Sequence, residues 1–161
     1  MIILGVDPGT IKTGYGLIFK DGGRVKALDC GIIKMNSKSP IAERLTMIYN
    51  GLLEVIREFQ PDVIALEDVF FSNNVRSAIR IGEARSVVML LSGLNDIELA
   101  EYKPTRVKQS VVGNGRASKQ QVQGMVKVLL GLKEAPPEDA SDALAVALCY
   151  CHMQKGQIAS L

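Results

Sequence analysis

Two short segments of this chain, residues 2–6 and 63–66, carry no polar side chain at all: Ile2-Ile3-Leu4-Gly5-Val6 and Val63-Ile64-Ala65-Leu66. Both are rich in β-branched residues and too short for helices, so they read as strands. A strand with one polar face can rest that face in water. A strand without one must be covered on both sides. The chain is therefore expected to build an α/β fold, with helices on both faces of a central sheet.

The remaining pattern fits this requirement. Residues 15–20 and 24–34 read as two further strands joined by Asp21-Gly22-Gly23, whose glycines suit a tight hairpin turn. With the first strand they form an antiparallel three-strand meander. Ser39 reads as a helix cap with Pro40 in the first helical position. Ile41, Leu45, Ile48, Leu52, Val55 and Phe59 then recur every three or four residues, and Pro61 ends that helix. A fourth strand over 62–67, a helix over 77–91 and a fifth strand over 97–102 follow. Three helices complete the chain: 104–112, one capped by Ser118 and ended by Gly131, and 138–153. The expectation is a five-stranded mixed sheet within a single domain spanning residues 1–161. Such sheets bind ligands beyond the carboxyl ends of their inner strands.

Composition narrows the setting. At 47% hydrophobic and 22% charged residues the chain is a globular protein, and no apolar run nears the ~18 residues of a membrane span. The opening apolar run is cut short by Asp7, unlike a signal peptide. The three cysteines fit neither a disulfide framework nor a zinc-binding C-x-x-C pair, and a cytoplasmic location with no membrane partner is expected. Net charge is only +2, but Lys103, Arg106, Lys108, Arg116, Lys119, Lys127 and Lys133 form a run without a single acid. The rest of the chain is consequently acidic. A basic face for a polyanion beside a cation-holding site accounts for this asymmetry, as does an ordinary solvated helix face.

Four acids fall where an α/β sheet keeps its chemistry. Asp7 directly follows the first strand and Glu67 ends the fourth, so parallel pairing of these strands would bring them together. Asp139 and Asp142 share one face at the start of the last helix. Singly, each of the first three also suits a structural role: Asp7 in a turn, Asp139 at a helix dipole, Glu67 at a solvated strand end. Asp142 stands among Ala140, Ala143, Leu144, Ala145 and Val146, where a charge requires a partner. Carboxylates without histidine or cysteine suit hard cations such as Mg2+ or Mn2+, and two such ions suit phosphodiester hydrolysis. The single histidine, His152, lies too far along the last helix to join them.

The chain resembles the RuvC family of Holliday junction resolvases, of the ribonuclease H-like superfamily. The resemblance rests on Ile3-Leu4-Gly5-Val6-Asp7-Pro8-Gly9-Thr10, Thr13-Gly14-Tyr15-Gly16, Glu67-Asp68-Val69-Phe70-Phe71, residues 107–113 (Val-Lys-Gln-Ser-Val-Val-Gly) and residues 139–145 (Asp-Ala-Ser-Asp-Ala-Leu-Ala). It implies a ribonuclease H-like fold and paired symmetric nicking of four-way DNA junctions in recombination and repair. It further implies Asp7, Glu67, Asp139 and Asp142 as catalytic ligands of two Mg2+ or Mn2+ ions. Lys108 and Lys119 are implied as DNA-contacting bases, and Phe70 as an aromatic that stacks on a base of the opened junction. Arg76 and Arg116 are expected to support DNA binding. Where many members carry a lysine after the aromatic pair, this chain has Asn73, with Arg76 and Arg80 close behind.

The implied partners are a four-way junction, a second copy of the chain and the RuvA–RuvB branch-migration complex. Two symmetric nicks from one site per chain require a two-fold dimer. The helix over 77–91, with Ala78, Ile81, Gly82, Ala84, Arg85, Val88, Met89 and Leu91, is its expected interface. An alternative is that this helix is covered on all sides by its own chain. Among other functions, an actin-like or sugar-kinase ATPase would share the Asp7-x-Gly9-Thr10 turn but needs two lobes. A ribonuclease H-like enzyme acting on another nucleic acid and a non-catalytic binding module are further alternatives.

Overall fold

The computed structural model describes residues 1–68 and 75–158, with side chains through Gln154. The elements run β1 (Ile2–Asp7), β2 (Lys12–Asp21), β3 (Arg24–Lys34), α1 (Ile41–Phe59), β4 (Val63–Glu67), α2 (Val75–Leu94), β5 (Glu98–Tyr102), α3 (Pro104–Val112), α4 (Lys119–Leu129) and α5 (Glu138–Ile158). They form one sheet ordered β3-β2-β1-β4-β5. The first three strands pair antiparallel, whereas β1–β4 and β4–β5 are parallel.

The two strands without polar side chains, β1 and β4, lie at the centre. Ile3, Val63 and Ala65 enter one core with α3, α4 and α5. Leu4, Val6, Ile64 and Leu66 enter the other with α1 and α2. Helices thus cover both faces, as the sequence requires.

α5 lies directly against β1 and β2 because the facing strand positions are glycines. A Cβ on Gly5 would run into the Ala143 carbonyl oxygen, and one on Gly14 into that of Asp139. Only the missing side chains allow so close an approach. The N-terminal turn of α5 is therefore held against the end of β1.

Several boundaries differ from expectation. Ser39 does not cap α1. Asn36 closes the preceding turn, accepting from Ser39 N through its carbonyl and from Lys38 N through Oδ1, and Pro40 itself takes the N-cap position. β2 begins at Lys12 rather than at residue 15, because its ladder with β3 continues to Lys12 opposite Lys34. α2 and α5 both run past their expected ends. The α4 cap is as expected: Ser118 Oγ accepts from Gln121 N, and the Gln121 side chain accepts from Ser118 N.

α2 is not covered on all sides by the described residues. Ala84, Arg85, Val88 and Leu91 face inward, while Val75, Ile79, Leu90 and Leu94 are each more than half exposed. A Cβ on Gly82 would meet nothing within 4 Å.

Candidate active site

Parallel pairing of β1 with β4 aligns Val6 with Leu66, so Asp7 and Glu67 leave the sheet side by side. Asp7 is also paired across the ladder with Gly14, the residue pressed against the Asp139 carbonyl. The close approach of α5 thereby brings Asp139 and Asp142 to the same sheet edge. The four acids expected from the sequence gather there from three elements.

Their electrostatics reflect this crowding. Burial pushes the Asp7 carboxyl up to about 7, reinforced by the charges of Asp142 and Asp139. Burial pushes Glu67 to about 8, with Asp7 and Asp142 adding to the shift. Asp142 is raised by burial too, against the opposing pull of Lys119. Buried carboxylates that repel one another at this edge call for a compensating positive charge.

Lys119 supplies part of it. The Ser118 cap sets it at the start of α4, from which Nζ reaches Glu138 Oε1 at 2.6 Å and Asp142 Oδ2 at 3.4 Å. Its charge also lowers the pKa of both Asp7 and Glu67, and Lys108 acts likewise on Glu67. Lys119 thus touches the acids directly, while Lys108 reaches Glu67 only through its charge. Among the described residues, no three His, Cys, Asp or Glu side chains are drawn together closely enough to hold one ion. The donor set itself is all oxygen and suits a hard divalent cation.

Other expected residues lie elsewhere. Arg116 is exposed in the α3–α4 loop, where its backbone N–H donates to Asn114 Oδ1. Arg76 is exposed in the first turn of α2 and lines a cavity beside the β1–β2 loop. Phe70 and Asn73 fall outside the described residues. His152 Nδ1 is 3.1 Å from Ser110 Oγ and 3.0 Å from the Ser110 carbonyl.

Three participants were given no role at the site from the sequence. Glu138 shares Lys119 with Asp142, and its carboxyl is held below the usual range by that lysine. Lys12 lies 3.9 Å from Asp139. Arg85, buried on α2, donates to the Glu67 carbonyl at 3.2 Å and to Asp68 Oδ1 and Glu101 Oε1, both at 2.6 Å. It ties α2 to the ends of β4 and β5. A basic residue amid Ala84, Val88 and Leu91 was the one available signal, since a buried charge needs partners.

The family profile described as "Crossover junction endodeoxyribonuclease RuvC" matches residues 3–150. The chain belongs to the RuvC family. Its members are structure-specific endonucleases that resolve Holliday junctions by two-metal-ion catalysis, in DNA recombination and repair. The RuvC protein of Alkaliphilus metalliredigens is 48% identical over 153 residues, covering 94% of this chain and 93% of that protein. That of Syntrophotalea carbinolica is 51% identical over 152 residues, with 94% of each covered. The solved RuvC of Thermus thermophilus superposes with a TM-score of 0.88 at 33% identity, covering 98% of this chain and 97% of that one. The same protein in complex with a Holliday junction substrate gives 0.91 at 33% identity, covering 98% and 96%. The fold is accordingly ribonuclease H-like, and the ATPase and non-catalytic alternatives fall away.

Proposed function

We propose that Asp7, Glu67, Asp139 and Asp142 are the catalytic acids of this Holliday junction resolvase and the ligands of two Mg2+ or Mn2+ ions. The observation that carries this reading is the convergence of two parallel strand ends and the start of α5 at one edge. Bound there, two divalent ions would stabilise the attacking and leaving oxygens of an in-line phosphodiester hydrolysis. The four carboxylates would hold those ions. Lys119 and Lys108 would orient the scissile phosphate, with Lys119 exchanging its bonds to Glu138 and Asp142 for phosphate oxygens. Arg76, Arg116 and Phe70 would engage the junction away from the cleaved bond. The solved complex of the Thermus thermophilus relative with a Holliday junction supports the same substrate here.

The test is Asp7→Asn. Nicking of a synthetic four-way junction should vanish while binding persists or tightens, because a negative charge facing the phosphates is removed. Retained cleavage would overturn the assignment. Ca2+, larger and less demanding of octahedral geometry, should support binding with little cutting.

The working unit of this reading is a two-fold dimer of 161-residue nuclease domains formed through α2. Its support is the exposed apolar side of that helix, together with the open space over Gly82. Gly82→Glu should yield a folded monomer that loses paired nicking, read by light scattering and junction cleavage. An unchanged dimer would move the interface elsewhere. RuvA–RuvB as the partner that delivers junctions, and a cytoplasmic location, complete the proposal. Among the described residues no helix is long and apolar enough to cross a membrane.

A further inference from the structure

The basic run over 103–133 supplies Lys108 and Lys119 from the α3–α4 face of the sheet. A second group of cations lies on the opposite face, and these residues are scattered through the sequence. Lys12, Arg44, Arg76 and Arg80 come from the start of β2, from α1 and from the first turns of α2, and they line one cavity of about 460 Å3. Gly9 and Thr10 of the β1–β2 loop form part of its wall, two and three residues beyond Asp7. Among the described residues no acidic side chain lines it.

The charges are only partly balanced. Lys12 lies 3.9 Å from Asp139, and Arg80 pairs with Glu83 at 2.9 Å. Arg44 donates through Nη1 to the Thr10 carbonyl at 3.2 Å, which fixes its guanidinium against the loop. Its Nε is buried and has no hydrogen-bond partner among the described residues. A buried donor on a charged group is costly when left unused. A guanidinium anchored at one nitrogen, with another donor free, is prepared for an anion that accepts from its planar fork.

We propose that this cavity, built on Arg44 with Lys12, Arg76 and Arg80, seats a backbone phosphate of the junction other than the one cleaved. The inference rests on the nuclease reading, and it assigns Arg44, Lys12 and Arg80 a role that the basic run does not suggest. A phosphate at this position engages the strand on the α1–α2 face of the sheet while Lys108 and Lys119 engage it on the other. The strand is thereby fixed across the acids by contacts on both sides, so that one bond stands in register for hydrolysis.

Binding of a four-way junction in Ca2+ should be measured between 50 and 200 mM salt for the wild type, Arg44→Gln and Arg80→Gln, with thermal unfolding as the check on folding. Arg44→Gln should bind about tenfold more weakly, and the slope of log K against log salt should shrink by about 0.9 for each lost contact. Single methylphosphonate linkages placed along each strand should reveal one non-scissile position that weakens the wild type but adds nothing to the loss in Arg44→Gln. If Arg44→Gln fails to fold, Arg80→Gln carries the same comparison, since Arg80 is exposed on α2. Wild-type binding with no such position, or with an unchanged salt slope in the folded variants, overturns the phosphate seat alone. Failure of the wild type to bind the junction overturns the nuclease reading with it.

Discussion

Gly14→Ala adds one methyl group where the sheet meets the catalytic helix. Its Cβ would lie 2.5 Å from the Asp139 carbonyl carbon and 3.2 Å from Ala140 N, where ordinary contact begins at 3.4 Å. The obstruction is backbone, so no side chain can swing aside; the carbonyl carbon alone requires the first turn of α5 to retreat by about 0.9 Å, and the nearer Asp139 carbonyl oxygen requires more. Overpacking of this kind costs about 1–3 kcal/mol. The lower backbone entropy of alanine in the unfolded chain returns about 0.5–1 kcal/mol of that, so a net loss of about 1–2 kcal/mol is expected. The effect on catalysis should exceed the effect on stability. Asp139 and Asp142 ride on the displaced turn while Asp7 stays on β1, and a misplacement near 1 Å costs about 10²-fold in rate. Single-turnover nicking of a four-way junction and urea unfolding would measure the two quantities. Gly23→Ala is the control, since a Cβ there meets nothing within 4 Å and the residue has no positive φ. A Gly14→Ala protein with wild-type stability and wild-type cleavage would refute the argument that this glycine sets the acids together.

Two further outcomes follow from the charges. The folded chain holds protons on Asp7 up to about pH 7 and on Glu67 up to about pH 8, whereas unfolded carboxyls release them near pH 4. The native state therefore binds more protons across that window, and the metal-free protein should lose stability as pH rises through it. Mg2+ should restore stability at the upper end and Asp7→Asn should flatten the dependence; a melting temperature that rises with pH in the metal-free protein would contradict this. Arg85→Met removes the bonds to the Glu67 carbonyl, Asp68 and Glu101. Because both acids are about 40% exposed and can rehydrate, a loss of about 1–3 kcal/mol is expected in urea unfolding, and an unchanged midpoint would show that α2 is anchored by other contacts.

What the sequence determined by itself was whatever depends on local pattern. Strands without polar side chains must be central, and the spacing of Ile41 through Phe59 marks a helix with one buried face. Ser118 was legible as the cap of α4, and the fold adds Gln121 as the other half of its capping box. Asp7 and Glu67 were legible as a pair because strand ends in an α/β sheet are where parallel neighbours converge. The run of bases between Lys103 and Lys133 marked a segment, within which only the resemblance to the family picked out Lys108 and Lys119. Tertiary structure decided the rest. Gly5, Gly14 and Gly16 look like ordinary glycines of strands and turns until α5 is laid across them, and only then do they fix where Asp139 and Asp142 stand. Arg85 became a brace once α2 met the ends of β4 and β5. Lys12, Arg44, Arg76 and Arg80 belong to separate segments and share a cavity only in the folded chain. Pattern reveals which face of an element is buried, because burial repeats with the period of the backbone. It does not reveal which distant residues meet, because that depends on how closely one element can approach another, and here the absence of a few side chains sets that distance.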